Sequence, residues 1–448
     1  MHKVTLAVLL AIAAPAGVAA QHAPDPFADY NAGRYGEAVE GAEAALIEDP
    51  QNPVWWALAA EARAKLGESA RAADAFAKAA QFEPDNAKRS YFLRAQALQL
   101  VYAGNQDAAR EIVRAAMADP ALGTRASLDW AMVAISAHDD ASAQEILDNE
   151  ALYEGFSRQT ALDAAYSAKR RGLDRRAVRF FETGLALDGA GADPLSPADR
   201  EGIRRENREL TRDWSFLLQG SYSSAGGPIG PANIPSGDER AYQLGGEISR
   251  RIGGWRNGKP FSVFARFYHS EFPSDDAPAG NATQGWVGVR YKPISALNFN
   301  LEASRLVGID HNGIDDWSLR GAISGGEGLE PATGRRSMAY VHYYADLSHL
   351  FENEVTYGLA EGRFGRSFML DERTTTFTPY AVARVGLDSG RAEEWALGAG
   401  LGVSLRHWFG ESSTVAHRGF IDLDIQAREK IAGDRRASAV LATMTLGR

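Results

Sequence analysis

Residues 395–406 read WALGAGLGVSLR, a run in which large apolar side chains alternate with small or polar ones. Trp395, Leu397, Leu401 and Val403 share one parity, and the positions of the other parity hold alanine, glycine, serine and arginine. Successive side chains of a β-strand point to opposite faces, so this period of two predicts a strand with one apolar face. The run suits a strand that crosses a bilayer at a tilt, because soluble strands usually have only about five or six residues.

Similar runs fill the C-terminal half of the sequence from residue 213 onward. We count about twelve, of roughly 9 to 13 residues each, which is the length and even number expected of a membrane barrel. A soluble β-sandwich or a periplasmic sheet is the alternative, but its strands would be shorter and its inner face would lack the charges found here. The runs begin near Asp213, Ala241, Pro260, Ala282, Leu297, Asp315, Ser337, Glu354, Thr375, Ala392, Arg418 and Arg435.

Composition narrows the class of protein. A charged fraction of 24% and a mean hydropathy of -0.29 exclude a polytopic helical membrane protein. The absence of cysteine excludes disulfides, thiolate–metal sites and lipidation at an N-terminal cysteine. A net charge of -10 argues against nucleic acid as a physiological ligand, because phosphate neutralisation needs a basic face.

The first twenty residues resemble a secretory signal peptide. Lys3 gives a basic start, residues 4–14 are apolar, and Pro15 precedes small residues that suit cleavage before Gln21. A membrane anchor is the alternative, but the apolar run is too short to span a bilayer as a helix. We therefore predict export from the cytoplasm of a Gram-negative bacterium.

Residues 21–195 contain an internal repeat of helical character. The glycine and proline at Gly33 and Pro50 recur as Gly67 and Pro84 after about 34 residues, which is the period of a tetratricopeptide repeat. Alanines at the intervening positions allow close approach of paired helices, and the proline follows the second helix of a pair. The residues expected to pack the repeats are Trp56, Gly67, Ala72, Phe76, Ala79, Pro84, Gly172, Ala177 and Phe181.

A third copy of the repeat begins at Gly104, a degenerate fourth lies near Asp139, and a clearer last copy begins at Gly172. This gives about four or five repeats, some without a recognisable first helix. Such arrays either bind peptides and partner proteins or serve as spacers, and the sequence leaves both roles open. A connecting helix is predicted over 196–212, with Pro197 near its first position.

The predicted fold class is therefore an α+β multidomain protein: an all-α tetratricopeptide-like superhelix followed by an antiparallel transmembrane β-barrel of about twelve strands. The predicted boundaries are a signal peptide over 1–20, a periplasmic repeat domain over 21–195, the connecting helix over 196–212 and an outer-membrane barrel over 213–448.

If the apolar parity faces lipid, the opposite parity lines the lumen of the barrel. Mixed charges would suit a sugar polymer, and the excess of arginine over acids favours an anionic one. The alternative is that these side chains merely fill a narrow interior. The candidate lumen-lining residues are Glu247, Arg266, Arg290, Glu302, Arg320, Asp346, Glu361, Arg363, Arg384, Arg406, Asp422, Asp424 and Arg428.

Catalytic and cofactor signals are weak. Asp422 and Asp424 share one face of a strand, as acid–base chemistry could use, but barrel walls routinely carry such pairs. The histidines of the barrel half are scattered without metal-ligand spacing. We predict that the protein is not an enzyme, with no catalytic residues, no metal and no cofactor.

The barrel half also resembles the C-terminal domain of the bacteriophage adsorption protein A (NfrA) family. The resemblance covers residues 210–448 in the family's order. The matching stretches are YKP at 291–293, LNFNLE at 297–302, DWSLR at 316–320, SGGEG at 324–328, TYGLA at 356–360, GRSF at 365–368, LRHWF at 405–409, IDLD at 421–424 and KIAGD at 430–434.

This resemblance implies an outer-membrane protein linked to exopolysaccharide secretion and, in some hosts, used by phage as a receptor. The expected partners are outer-membrane lipid, the secreted polysaccharide, phage, and periplasmic or inner-membrane export proteins such as a glycosyltransferase complex.

The long connections 223–240 and 270–281 are the best candidates for surface loops. The alternative function is a non-conducting, membrane-anchored scaffold whose repeats recruit a periplasmic partner.

Overall fold

A computed structural model describes residues 25–190, 194–224, 240–272, 280–331, 334–371 and 373–448. The predicted signal peptide lies outside the described residues, as do most of the two long connections predicted to be surface loops. By its contacts the chain divides into one unit that ends at Glu154 and a second that begins at Gly155. The predicted domain boundaries stay a prediction.

The first unit is built of antiparallel helix pairs. Ala72, Phe76 and Ala79 of α4 are buried, and Phe76 packs with Ala60 of α3 and Phe92 of α5. This small-residue packing of successive helices confirms the tetratricopeptide-like fold. The helices are α1 (Pro26–Asn31), α2 (Tyr35–Glu48), α3 (Pro53–Leu66), α4 (Ser69–Phe82), α5 (Asn86–Tyr102), α6 (Gln106–Ala118), α7 (Leu128–Ser136) and α8 (Asp140–Ile146).

A residue with positive φ precedes the second helix of each repeat by two positions. Gly33, Gly67 and Gly104 have φ of 79°, 79° and 81° before α2, α4 and α6. His138 adopts the same left-handed conformation, with φ 56°, before α8. Glycine adopts this conformation without strain and other residues do so at a cost, so His138 makes the fourth repeat look degenerate in sequence although its geometry is kept.

The second unit begins with three helices, α9 (Arg158–Arg170), α10 (Asp174–Leu187) and α11 (Pro197–Thr211). Gly172 (φ 70°) gives α10 the same entry turn, and Ala177 and Phe181 are fully buried. The Ser196 side chain caps α11 by accepting a hydrogen bond from the amide of Asp199. This helix lies where the connecting helix was predicted.

Among the described residues, twelve antiparallel strands follow and close into a barrel in which each strand pairs with its neighbours in sequence. The first and last strands complete the ring, with Leu218 opposite Leu446. The strands are β1 (Trp214–Ser223), β2 (Ala241–Ile252), β3 (Phe261–Phe272), β4 (Gly280–Tyr291), β5 (Asn298–Gly308), β6 (Asp316–Glu327), β7 (Ser337–Leu350), β8 (Val355–Met369), β9 (Thr375–Asp388), β10 (Trp395–Phe409), β11 (Gly419–Gly433) and β12 (Ala439–Gly447).

These strands confirm the predicted count, and their starts fall within a few residues of the predicted ones. Five strands, β7 to β11, have 14 or 15 residues and exceed the predicted length.

The barrel carries its apolar side chains outward and its polar side chains inward. Leu401 on β10 is 71% exposed and Ile425 on β11 is 54% exposed, whereas Asp424 and Gln426 on β11 are 4% and 1% exposed. A soluble sheet buries its apolar face, so this distribution requires an apolar medium around the barrel. None of the helices in the described part of the chain is long and apolar enough to cross a membrane.

Candidate functional site in the barrel interior

One network of ion pairs follows the inner wall from β2 to β7. Arg290 donates to Glu247 (2.9 Å) and to Glu302 (2.7 Å). Arg266 bridges the same two carboxylates at 2.6 and 3.3 Å. Arg320 extends the network from Glu302 (3.0 Å) to Asp346 on β7 (2.7 Å). Each carboxylate therefore meets at least one guanidinium in a charge-assisted hydrogen bond.

A second network continues along the wall from β8 to β11. Arg363 donates to Glu361 (2.7 Å) on its own strand and to Asp424 on β11 (2.9 Å). The Tyr380 hydroxyl on β9 donates to the same Asp424 at 2.7 Å. Both bonds pass over β10, so all of these side chains lie inside the barrel.

Further along β10 and β11, Arg406 pairs with Asp422 (3.1 Å), and the Ser404 hydroxyl donates to Asp422 (2.6 Å). Arg384 on β9 has a weaker arrangement, because its nearest carboxylate, Glu361, lies 3.6 Å away and already pairs with Arg363. Arg428 on β11 shares the inward parity of Asp422 and Asp424.

The structure thus places all thirteen candidate lumen-lining residues at inward-facing positions of the strands. Ten of them belong to the two networks, Arg406 and Asp422 form a separate pair, and Arg428 stands apart from the ion pairs between described residues. The ion pairs between described residues join strands at most three apart in the ring. The charged belt, as we call the two networks together with the Arg406–Asp422 pair, therefore follows the wall and does not bridge opposite sides. The lining role of these residues remains a proposal.

The predicted repeat-packing residues lie in the two units. Trp56 is partly buried and donates from its indole to the carbonyl of Pro50 at 2.9 Å. Gly67 forms a left-handed turn, and exposed Pro84 follows the end of α4. Together with the buried alanines and phenylalanines already described, these positions match the pattern from which they were chosen.

A feature that was not predicted from the sequence is the attachment of α11 to one end of the barrel. Arg204 donates to Glu411 (2.7 Å) and to the carbonyl of Val415 (3.1 Å), both in the β10–β11 loop. Arg208 donates to Glu330 in the β6–β7 loop at 2.8 Å. Arg251, at the end of β2, donates to the carbonyl of Glu209 at 2.6 Å. We call α11 with these loop partners the α11 latch.

The three attachment points are spread around the rim. The end of β2, the β6–β7 loop and the β10–β11 loop are separated from one another by about four strands each in the ring. A straight helix that reaches three evenly spaced points of a ring has to cross its opening. The α11 latch therefore lies across this mouth of the barrel. Asn207 of α11 is buried there, and its side-chain amide donates to the carbonyl of Thr414 in the β10–β11 loop at 3.0 Å.

Electrostatics favours the latched arrangement at neutral pH. The hydrogen bond from Arg204 lowers the pKa of Glu411. Burial alone would raise the pKa of Glu330, but the charge and hydrogen bond of Arg208 outweigh it and lower this pKa. Burial lowers the pKa of His417, which keeps the imidazole neutral beside the helix. All three groups favour the states they adopt near neutral pH.

The amino-acid sequence contains only indirect indications of the α11 latch. The sequence of α11 is rich in arginine and glutamate, and the connections 326–336 and 410–417 are longer than turns at the periplasmic end of a barrel usually are. Nothing in their spacing, however, pairs a helix residue with a loop more than 100 positions away.

A closed antiparallel barrel with an apolar exterior and a charged interior is the architecture of bacterial outer-membrane proteins. The chain is a protein of this class, with tetratricopeptide-like helices ahead of its barrel. Residues 275–444 match the family model of the C-terminal domain of bacteriophage N adsorption protein A, which confirms the resemblance stated from the sequence.

Comparison with solved structures finds similarity to both parts of the chain. MamA from Desulfovibrio magneticus RS-1 matches with 16% identity over 38% of this chain and 93% of its own, at a TM-score of 0.31. YrrB, described as a TPR protein with an unusual peptide-binding site, matches with 12% identity over 37% and 83%, at 0.29. An outer membrane channel from Pseudomonas putida F1 matches with 10% identity over 57% and 99%, at 0.32. No curated protein matches the sequence.

Proposed function

We propose that this protein is the outer-membrane component of an exopolysaccharide secretion system, and that the polymer leaves the cell through the barrel. The observation that carries this proposal is the charged belt, whose ion pairs between described residues follow the wall from β2 to β11 and do not bridge the interior. Guanidinium and carboxylate groups offer hydrogen bonds to sugar hydroxyls, and arginine also binds carboxylates in a bidentate manner. The protein needs no catalytic group for this role.

In this proposal the end of the barrel that carries the α11 latch faces the periplasm. The helices of the N-terminal half would then receive the polymer or a partner from the export machinery of the inner membrane. The opposite end of the barrel would face outward, where a phage could bind it. The arrangement of tetratricopeptide-like helices supports a binding role, because stacked repeats present extended surfaces to peptides and proteins.

A second candidate function is supported by the α11 latch itself. A helix fixed across the mouth by Arg204 and Arg208 would hinder passage of a polymer. A barrel closed in this way would anchor the helical repeats to the membrane, and the repeats would recruit a periplasmic partner. The two functions differ in whether the latch ever opens.

Deletion of the gene in its host tests the export proposal. We expect the deletion strain to lose secreted and surface-displayed polysaccharide, and the full-length chain to restore both. Restoration by a chain with Arg290→Gln and Arg320→Gln should be impaired, while a matched double change of exposed arginines, Arg366→Gln and Arg373→Gln, should restore secretion fully. Normal polymer in the deletion strain would contradict the proposal.

A further inference from the structure

The inner wall has a local excess of positive charge where β9 and β11 approach each other across β10. Arg384 on β9 lies opposite Gly398, and Arg428 on β11 lies opposite Gly400. The inward positions of β10 between these arginines are glycines, so no side chain separates them. Both guanidinium groups therefore face the same part of the interior.

The carboxylates nearby are already engaged. Glu361 accepts from Arg363 at 2.7 Å and is the only described carboxylate within 4 Å of Arg384, at 3.6 Å. Asp424 accepts from Arg363 and from Tyr380. Three arginines thus share two carboxylates, and one positive charge is left over.

The charge left over lies on Arg428. This side chain is only 8% exposed, and among the described residues no carboxylate pairs with it and its Nε has no hydrogen-bond partner. Gln426, two positions earlier on the same inward face, is 1% exposed, and neither its amide nitrogen nor its amide oxygen has a partner in the described part of the chain. Burying an unpaired guanidinium and an unpaired amide costs free energy, so folding alone gives no reason to keep them.

We infer that Arg384, Arg428 and Gln426 form a binding site for a carboxylate group of an acidic polysaccharide passing along the inner wall. A planar carboxylate can accept a bidentate pair of hydrogen bonds from Arg428 while Arg384 compensates its charge. The Gln426 amide can donate to the same carboxylate or to a neighbouring sugar hydroxyl. The site rests on the proposed export function, because the exported polymer is the source of its ligand. The polymer is then one that contains uronate.

The site is tested by titrating the full-length protein in detergent with an oligomer of glucuronate and, separately, with a neutral glucose oligomer of equal length. We expect the acidic oligomer to bind, its affinity to fall as salt is raised, and the neutral oligomer to bind at least tenfold more weakly. Arg428→Gln and Arg384→Gln should each weaken acidic binding at least tenfold. The control Arg366→Gln, which removes an exposed arginine on β8, should leave it unchanged. Equal binding of the two oligomers, or unchanged binding by Arg428→Gln, would overturn the inference.

Thermal stability separates a binding role from a structural one. Removing an unpaired buried charge should leave the melting temperature of Arg428→Gln unchanged or raise it, whereas loss of a structural arginine would lower it. A lowered melting temperature for this variant would contradict the inference. The binding site and the export function can fail separately. Normal polymer in a deletion strain would refute export, whereas binding of the acidic oligomer to the purified protein would still support the site.

Discussion

The Tyr380 hydroxyl on β9 donates to the carboxylate of Asp424 on β11 at 2.7 Å and reaches it by passing over β10. Gly402 lies beneath the ring, where an added Cβ would come within 2.4 Å of Tyr380 Cζ. The glycine therefore makes room for a bond between strands that are not neighbours. Arg363 on β8 donates to the same carboxylate at 2.9 Å, so this hydrogen bond links β8 to β11 as well.

This close approach predicts that Gly402→Ala destabilises the barrel by about 1–3 kcal/mol, because the tyrosine ring has to move away from its partner. Equilibrium unfolding by urea from lipid vesicles measures the effect. Gly386→Ala is a matched control, since it also lies in a strand of the barrel but an added Cβ there meets nothing within 4 Å. Equal destabilisation by the two substitutions would contradict the account.

His138 should be a point of strain in the first unit. Its left-handed conformation (φ 56°) suits glycine, so His138→Gly should stabilise the helical repeats by about 1 kcal/mol. Gly104→Ala, at the equivalent turn of the preceding repeat, should destabilise them by a similar amount. Thermal unfolding followed by far-ultraviolet circular dichroism reports both, and the argument fails if His138→Gly lowers the melting temperature.

The outward face of the barrel should not tolerate charge. Leu401→Arg, near the middle of β10, should destabilise the membrane-inserted protein by about 2–4 kcal/mol. Ile47→Arg places the same charge on an exposed position of α2 and should change stability by less than about 0.5 kcal/mol. Folding yield into vesicles and urea unfolding measure the difference, and a neutral Leu401→Arg would argue that this face does not contact lipid.

The α11 latch should loosen in acid. Glu330 and Glu411 have lowered pKa values in the folded protein, so the stability they contribute is present above the usual carboxyl range and is lost as the pH falls through their folded values. His417 acts in the same direction, because its lowered pKa means that the unfolded chain takes up a proton first as the pH falls below about 6.5. Hydrogen exchange of α11 amides should therefore quicken between neutral pH and about pH 4 relative to α4.

Substitution tests the same latch at constant pH. Glu330→Gln with Glu411→Gln should raise the exchange of α11 at neutral pH, since each change weakens a hydrogen bond to a charged group worth about 1.5–3 kcal/mol. The same double change should flatten the dependence on pH. Glu393→Gln, an exposed carboxylate outside the latch, serves as the control, and identical exchange in all three proteins would show that these ion pairs do not hold α11.

The sequence was sufficient for features that follow from local periodicity. Alternation along β10 and β11 predicted both the strands and the parity of Asp422 and Asp424, because a slip of one residue would turn every polar side chain toward lipid. The recurrence of Gly33 and Gly67 likewise predicted the helix pairs.

Features that depend on contacts between distant residues could not be read in this way. The pairing of Arg208 with Glu330 joins a helix to a loop far along the chain, and no periodicity links them. The left-handed turn at His138 was not predicted, because glycine normally occupies this conformation. That Arg428 has no ion-pair partner among the described residues becomes visible only when the neighbouring strands are in register.

Single-channel recording tests the central claim, that the barrel interior is a path across the membrane. The chain has no cysteine, so one can be introduced at Leu217, which pairs with Glu247 on the inward face and is 41% exposed, or at Leu218, which faces outward and is 44% exposed. In planar bilayers we predict an ionic current through the full-length protein carrying Glu330→Gln and Glu411→Gln. A charged, water-soluble thiol reagent should reduce it with Leu217→Cys but not with Leu218→Cys. Absence of current in every variant, or equal effects of the reagent at both positions, would contradict the claim.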